Sequence, residues 1–368
     1  MKIRGAVLTT SSSTAPYGDS MPIAVEELEL DPPGPFEVLV QIEAAGICHS
    51  DLSVVNGSRP RPLPMLLGHE AAGRVLASGD DEGSELVGRR VVMAFLPRCG
   101  ECSACATEGR LPCERGSVAN GEGRLLSGAR RISLAGREVA HHLGVSGFAT
   151  HAVVDRRSLV PVGDDVPPDI AALLGCAVLT GGGAVLNVAR PLAGQTIAVV
   201  GLGGVGMAAL LVARCIPDVR VIGVDPVQEK RLKASELGAD EVFDPTEAVG
   251  TVKADTVIEA AGSAAAFETA VSITGIGGRT ISVGLPASDA RAGISPLALV
   301  SEAREIVGSY LGSAVPSRDI PRFEQLWRDG RLPLQQLISA RIGLDDVNHA
   351  MDELASGHAI RQLIELPR

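Results

Sequence analysis

The rhythm of apolar and polar positions changes near residue 168. Before it, short runs such as FEVLVQIEAAG (36–46) and AAGRVLASG (71–79) alternate between turn signals, which predicts a mostly antiparallel β region with irregular loops. RPRPLP (59–64) reads as an extended connection. Residues 114–147 read as a long glycine-containing loop with a hairpin around LLSGARRISLAGREVAHHLG (125–144). After residue 168, PPDIAALLGCAVLTGGGAVLNVA has helical spacing, and TIAVVGLGGVGMAALLVARC reads as strand, turn and helix. RVIGVD, TVIEAAG and RTISVGL follow as short apolar runs separated by helical patterns such as PVQEKRLKASELGAD. Strands alternating with helices predict βαβ units and a parallel sheet, hence an α/β class. The final stretch predicts amphipathic helices over DIPRFEQLWRDGRLPLQQLISARI (319–342) and LDDVNHAMDELASGH (344–358), then a strand in IRQLIEL. Thr196–Ala213 carries no charge over about the length of a membrane span. Its glycine-rich centre favours a buried strand followed by a helix.

A chain of 368 residues is long enough for two domains, each with its own core. With 45% hydrophobic and 21% charged residues, 43 glycines and 23 prolines, it is globular and turn-rich. Aromatics are only 2% of the chain, so Val, Leu, Ile and Ala must build the cores. A net charge of -11 with no basic block argues against a nucleic-acid partner. MKIRGAVLTTSSS lacks the apolar core of a signal peptide, so a cytoplasmic protein is expected, with no membrane partner. In a reducing cytosol, clustered cysteines favour metal over disulfides.

Gly201, Gly203 and Gly206 form a GxGxxG turn directly after the strand TIAVV and before an apolar helix. Such a turn lets backbone approach a pyrophosphate and presents a helix N-terminus to it. Gly204 and Val205 complete the turn, and Asp225 ends the next strand. An aspartate there accepts hydrogen bonds from both adenosine ribose hydroxyls. A 2′-phosphate at ~4 Å would meet a like charge costing up to about 4 kcal/mol at an effective dielectric of ~20, so NAD is expected over NADP. Lys230 is placed either at the ribose edge or on an exposed helix face.

Cys99, Cys102, Cys105 and Cys113 have the spacing of a loop wrapped around a tetrahedral cation. Four thiolates leave no open position, which suits structural zinc; an iron–sulfur cluster is the other four-thiolate option. Of the remaining cysteines, Cys48 in GICHSD and Cys176 join His69 in LLGHEAAG as a candidate Cys₂His set with a free fourth position. Zinc so held acts as a Lewis acid toward an alcohol. Glu70 places a carboxylate beside His69, and Cys215 is expected in the core of the helix after the glycine turn.

GICHSD, GHEAAG, CGECSACATEGRLPC, GCAVLTGG and GLGGVG, in this order, resemble the zinc-dependent alcohol dehydrogenases of the medium-chain dehydrogenase/reductase superfamily, over essentially the whole chain. The resemblance implies a GroES-like β-rich catalytic domain (1–177 and 311–368) and a Rossmann NAD-binding domain (178–310). It implies two zinc ions per chain: a catalytic one on Cys48, His69 and Cys176, and a structural one on Cys99, Cys102, Cys105 and Cys113. Ser50 would bind the substrate hydroxyl and begin a proton relay, Asp51 would orient His69, and Glu70 would stand behind the metal. His49 and Arg361 would contact the pyrophosphate, Thr180 would pack near the nicotinamide, and Val283 would belong to the cofactor-binding residues. Phe95, His142, Leu143 and Leu285 would wall the substrate pocket.

Two positions depart from the family pattern. Ser53 stands where many relatives end the relay in a histidine, leaving Ser53, His49 or water as its exit. His142 replaces a commoner apolar wall, so it either contacts substrate or points away. The long loop is similar to that of the glutathione-dependent formaldehyde dehydrogenase and aryl-alcohol branches, yet Arg59 and Ser117 offer no convincing carboxylate-binding pair. Oxidation of a primary alcohol, aryl or allylic, to an aldehyde is therefore expected. A polyol or S-hydroxymethyl-thiol dehydrogenase is the alternative within the family. A non-catalytic zinc and nucleotide-binding scaffold is the alternative outside enzymes. The resemblance also suggests a homodimer or homotetramer paired through the edge strand near 300–310.

Overall fold

The structure, a computed structural model, describes residues 1–11 and 15–366. The chain divides into two compact units: Met1–Cys176 with Val315–Glu324 and Ile338–Arg368, and Ala177–Ala314 with Gln325–Leu337.

The first unit contains Lys2–Leu8 (β1), Ile23–Leu30 (β2), Glu37–Ile47 (β3), Met65–Leu66 (β4), Ala71–Ser78 (β5), Arg90–Met93 (β6), Ile132–Leu134 (β7), Arg137–His141 (β8), His151–Asp155 (β9) and Leu159–Pro161 (β10). The second contributes Thr196–Val200 (β11), Arg220–Val224 (β12), Glu241–Phe243 (β13), Ala254–Glu259 (β14), Thr274–Ser282 (β15) and Glu305–Gly308 (β16). The chain then returns to the first unit with Ala340–Ile342 (β17) and Gln362–Glu365 (β18).

In the first unit β1, β2, β7, β8 and β4 close a small barrel, and β10-β6-β5-β3-β18-β17 form a sheet in which β9 also pairs with β3. Most pairs are antiparallel, as the alternating runs require; β4–β8 and β17–β18 are parallel. The barrel core is aliphatic, with Ile3, Val7, Leu28, Leu30, Leu66 and Val139 buried together. In the second unit, order β13-β12-β11-β14-β15-β16 with every pair parallel is the 3-2-1-4-5-6 arrangement of a doubly wound dinucleotide-binding sheet. Its core joins Val200, Ile222, Val224, Val257 and Ile273.

Four expectations change. Residues 114–147 do contain the β7–β8 hairpin, but their first turns form a helix, Glu114–Glu122, in whose first turn the Gly116 N–H donates to the Cys113 sulfur. ARI at 340–342 is a strand, because it finds a parallel partner in β18, and the preceding helix ends at Arg328. Gln325–Leu337 belongs to the second unit, where Arg331 donates to the carbonyl of Cys215 at 2.6 Å. Cys215 is itself only partly buried, its thiol bonded to the carbonyls of Leu211 and Arg331.

Thr196–Ala213 forms the expected strand and helix. Pro168–Ala189 is a 22-residue helix long and apolar enough to cross a membrane, and 89% of its apolar window is buried within the protein. Two π-turns interrupt it, at Leu174–Val178 and Ala184–Ala189. Single π-turns concentrate at functional positions, and the first of these carries Cys176.

Candidate active site and metal centres

Three distant segments supply one cluster. Cys48 ends the approach of β3 and caps the helix His49–Val55; His69 and Glu70 precede β5; Cys176 lies in the π-turn. Ligand atoms of Cys48, His69, Glu70 and Cys176 all lie within 4.8 Å of one another, and Cys176 Sγ is 3.5 Å from His69 Nε2. A tetrahedron with Zn–S of about 2.3 Å and Zn–N of about 2.0 Å has S···N edges near 3.5 Å, so the donor set fits zinc. Two thiolates and one imidazole leave a fourth position.

The surroundings fix these donors. Asp51 is fully buried; its Oδ1 pairs with His69 Nδ1 at 2.9 Å and its Oδ2 accepts the Cys48 backbone N–H at 3.0 Å. This contact points Nε2 of His69 toward the sulfurs. Burial alone would raise the Asp51 carboxyl, but His69 and His142 beside it reverse this and hold it below the usual carboxylate value. Cys48 is held well below an ordinary thiol, chiefly by its contact with the Cys176 thiol and also by His69 and Arg361. Glu70 is pushed up to about 7 by burial, against the opposing pull of Arg361. A Cβ on Gly46 would lie 2.5 Å from Glu70 Oε1, so only glycine leaves room for this carboxylate.

Arg361 does not have the open guanidinium expected of a pyrophosphate contact. It is buried, donating from Nη1 to Glu70 Oε2 at 3.1 Å and to the carbonyl of Ile47 at 3.0 Å. It ties Ile47, the residue before Cys48, to the Glu70 carboxylate of the same cluster. His142 is also buried. Its Nδ1 lies 3.1 Å from Asp51 Oδ1, off-line for a hydrogen bond, and its ring stands edge-on to His69 with centroids 5.4 Å apart. Phe95 packs edge-on against His69, at 5.6 Å. Leu143 is buried with a left-handed backbone, Ser50 is half-buried and His49 exposed. Ser53 donates its hydroxyl to the carbonyl of His49 at 2.7 Å.

The second cluster is the four-cysteine loop. Sγ separations of 3.5 Å (Cys102–Cys105), 3.9 Å (Cys99–Cys105) and 3.9 Å (Cys102–Cys113) match the roughly 3.8 Å edges of a ZnS₄ tetrahedron. Backbone N–H groups of Cys99 and Gly116 point at Cys113 Sγ, which stabilises negative sulfur. The N–H of Glu114 draws Cys102 down to about 6. Arg98 bonds the carbonyls of Ala104 and Cys105 across the loop.

In the second unit Gly203 precedes the helix Gly204–Arg214, whose free N–H groups open the turn after β11. A Cβ on Gly206 would lie 1.8 Å from the Gly201 carbonyl oxygen, so the helix can approach the turn this closely only with glycine. Asp225 is buried at the end of β12; Oδ2 accepts the Leu202 N–H at 2.7 Å and Oδ1 the Val227 N–H at 2.9 Å, which locks the carboxylate over the turn. Lys230 is not an exposed helix lysine. It is buried near Asp225, and burial lowers its ammonium below the ordinary value while Asp225 opposes the shift. Thr180 and Val283 are buried, and Leu285 is 47% exposed.

Residues 34–164 match the alcohol dehydrogenase GroES-like domain family and residues 204–328 the zinc-binding dehydrogenase family. The chain belongs to the zinc-dependent alcohol dehydrogenases of the medium-chain dehydrogenase/reductase superfamily. Geraniol dehydrogenase from Castellaniella defragrans is 36% identical over 354 residues, covering 93% of this chain and 94% of that protein. An alcohol dehydrogenase zinc-binding domain protein from Burkholderia ambifaria has TM-score 0.91 and 30% identity, with both chains fully covered. Benzyl alcohol dehydrogenase from Acinetobacter calcoaceticus has TM-score 0.90 and 28% identity, again over both whole chains.

Arg361 as the partner of Glu70, and the approach of His142 to Asp51, were not legible in sequence. Both join residues far apart in the chain, and no local spacing encodes either.

Proposed function

We propose that this dehydrogenase oxidises a primary alcohol, aryl or allylic, to its aldehyde, with NAD as hydride acceptor and two zinc ions per chain, in the cytoplasm. The observation that carries this reading is the gathering of Cys48, His69 and Cys176, with the Glu70 carboxylate beside them and Phe95 packed edge-on against the His69 ring. Zinc bound by these three residues supplies Lewis acidity that lowers the pKa of an alcohol. Ser50, the second residue after Cys48, takes the hydroxyl proton and passes it to the relay. NAD, held at the turn 201–206 and by Asp225, would supply the acceptor for the hydride that leaves the carbinol carbon, so that the net products would be aldehyde, NADH and a proton. With the Ser53 hydroxyl turned to the His49 carbonyl, the relay leaves through His49 or water.

Geraniol is a primary allylic alcohol and benzyl alcohol a primary aryl one, and relatives acting on both support that substrate class. Asp225 supports NAD over NADP. The test is a panel of geraniol, benzyl alcohol, hexanol and sorbitol with each cofactor, alongside metal analysis. Turnover of geraniol or benzyl alcohol with NAD is expected to exceed that of hexanol and sorbitol. Preference for sorbitol would favour a polyol enzyme, and no reduction of either cofactor would favour a scaffold.

A further inference from the structure

Glu259 is a buried carboxylate at the C-terminal end of β14 that no part of the proposed reaction uses. Its Oε1 accepts the backbone N–H groups of Ala261 at 2.9 Å and Gly262 at 2.6 Å, and its Oε2 accepts the Ser282 hydroxyl at 2.8 Å. Its own carbonyl accepts the N–H groups of Val283 and Gly284 at 2.9 and 3.1 Å. These donors are neutral, so burial of the carboxylate is compensated by hydrogen bonds, and their number and geometry matter.

The groups it gathers lie at the C-terminal ends of β14 and β15, in the second half of the doubly wound sheet, the half that on the cofactor reading takes the nicotinamide end of a dinucleotide when the first half, with Asp225, takes the adenosine. A Cβ on Gly284 would lie 2.3 Å from the Gly262 nitrogen, and one on Gly262, at φ +71, would lie 2.9 Å from the Leu285 nitrogen. The turn after β14 and the segment 283–285 are thus in backbone contact, with Glu259 as the hub that bonds to both. Resting on that reading, we propose that Glu259 is a positioning residue: it sets the 283–285 segment that receives the nicotinamide, while the adenosine half is held independently at Asp225.

Two variants of the full chain test this. Glu259→Asp keeps the charge and shortens the reach by one methylene; Glu259→Gln keeps the reach, accepting at Oε1 and donating to Ser282. NADH and ADP-ribose affinities are measured for each, with zinc content and thermal unfolding alongside. Glu259→Asp is expected to weaken NADH about tenfold, or about 1.4 kcal/mol, with ADP-ribose changed less than about twofold. Glu259→Gln is expected to restore NADH affinity to within about threefold of the parent, the spread of one imperfect neutral hydrogen bond. Unchanged NADH binding in Glu259→Asp, parallel loss of NADH and ADP-ribose, or equal loss in both variants would overturn the proposal. Failure of the parent protein to bind NADH would instead overturn the cofactor reading itself.

Discussion

His141 is fully buried, one residue before His142. Its Nε2 accepts the Arg131 backbone N–H at 3.1 Å, and its Nδ1 has no hydrogen-bond partner among the described residues. Burial, helped by the nearby Arg130 and Arg131 cations, pulls this imidazole down to about 3 from an ordinary 6.5. Between those values the unfolded chain binds a proton that the native chain does not. Stability from this group is therefore complete above about pH 6.5 and falls by about 1.4 kcal/mol for each pH unit below it. His141→Gln keeps an acceptor near the Nε2 position without a titrating ring. Its unfolding free energy is expected to drop less than that of the parent between pH 7.5 and pH 5; equal drops would assign the acid sensitivity to other groups. Asp51 acts at the same scale through His69. Asp51→Asn removes the charge that orients the ring, and is expected to weaken zinc retention about 10- to 100-fold in a chelator competition.

At the scale of elements, the loop 95–113 has one 3₁₀ turn, Ser103–Thr107, to hold it, so a zinc ion on its four sulfurs would act as its staple. Cys102→Ser is expected to lower zinc from about two to about one per chain and to open this loop to proteolysis, with activity falling only as the fold loosens. If zinc content stayed at the parent level, the four-cysteine site would not hold a metal. This loop, like the GLGGVG turn, was legible in sequence because all its parts lie within a few residues of each other. The parallel sheet was legible too, since each βαβ unit writes its own local pattern. The parallel pairing of β4 with β8 was not, because Met65 meets Ala140 across a separation no local period records. The same holds for Gln325–Leu337, whose helical pattern does not say which unit its Arg331 will bond. Of the site, the residue types were readable at Cys48, His69 and Cys176. The burial that sets Lys230 against Asp225 and Arg361 against Glu70 came only with the fold.

At the scale of the whole molecule, the six-stranded sheet ends at β16, one edge of which has no strand partner among the described residues. Exposed sheet edges template pairing with another chain unless charge or a bulge protects them. Near this edge the surface is apolar: Leu297 is 76% and Val300 79% exposed on the helix Pro296–Ser301 leading into β16. Ile276, 84% exposed, is held alongside, because the Gly277 N–H bonds the Glu302 carbonyl at 2.7 Å. Isolated exposed aliphatics are ordinary, but three around an unpaired edge form a patch that a second copy of the chain can cover. A dimer built here would continue the sheet across a two-fold axis. Replacing Leu297 and Val300 together by glutamate places two like charges per chain within that interface. Light scattering is expected to show the parent as a dimer or a dimer of dimers, and the double variant one pairing step smaller. Zinc content should be unchanged, since neither residue lies in a metal-binding cluster. A parent that already runs as a monomer, or a double variant that keeps the parent's mass, would place any pairing surface elsewhere.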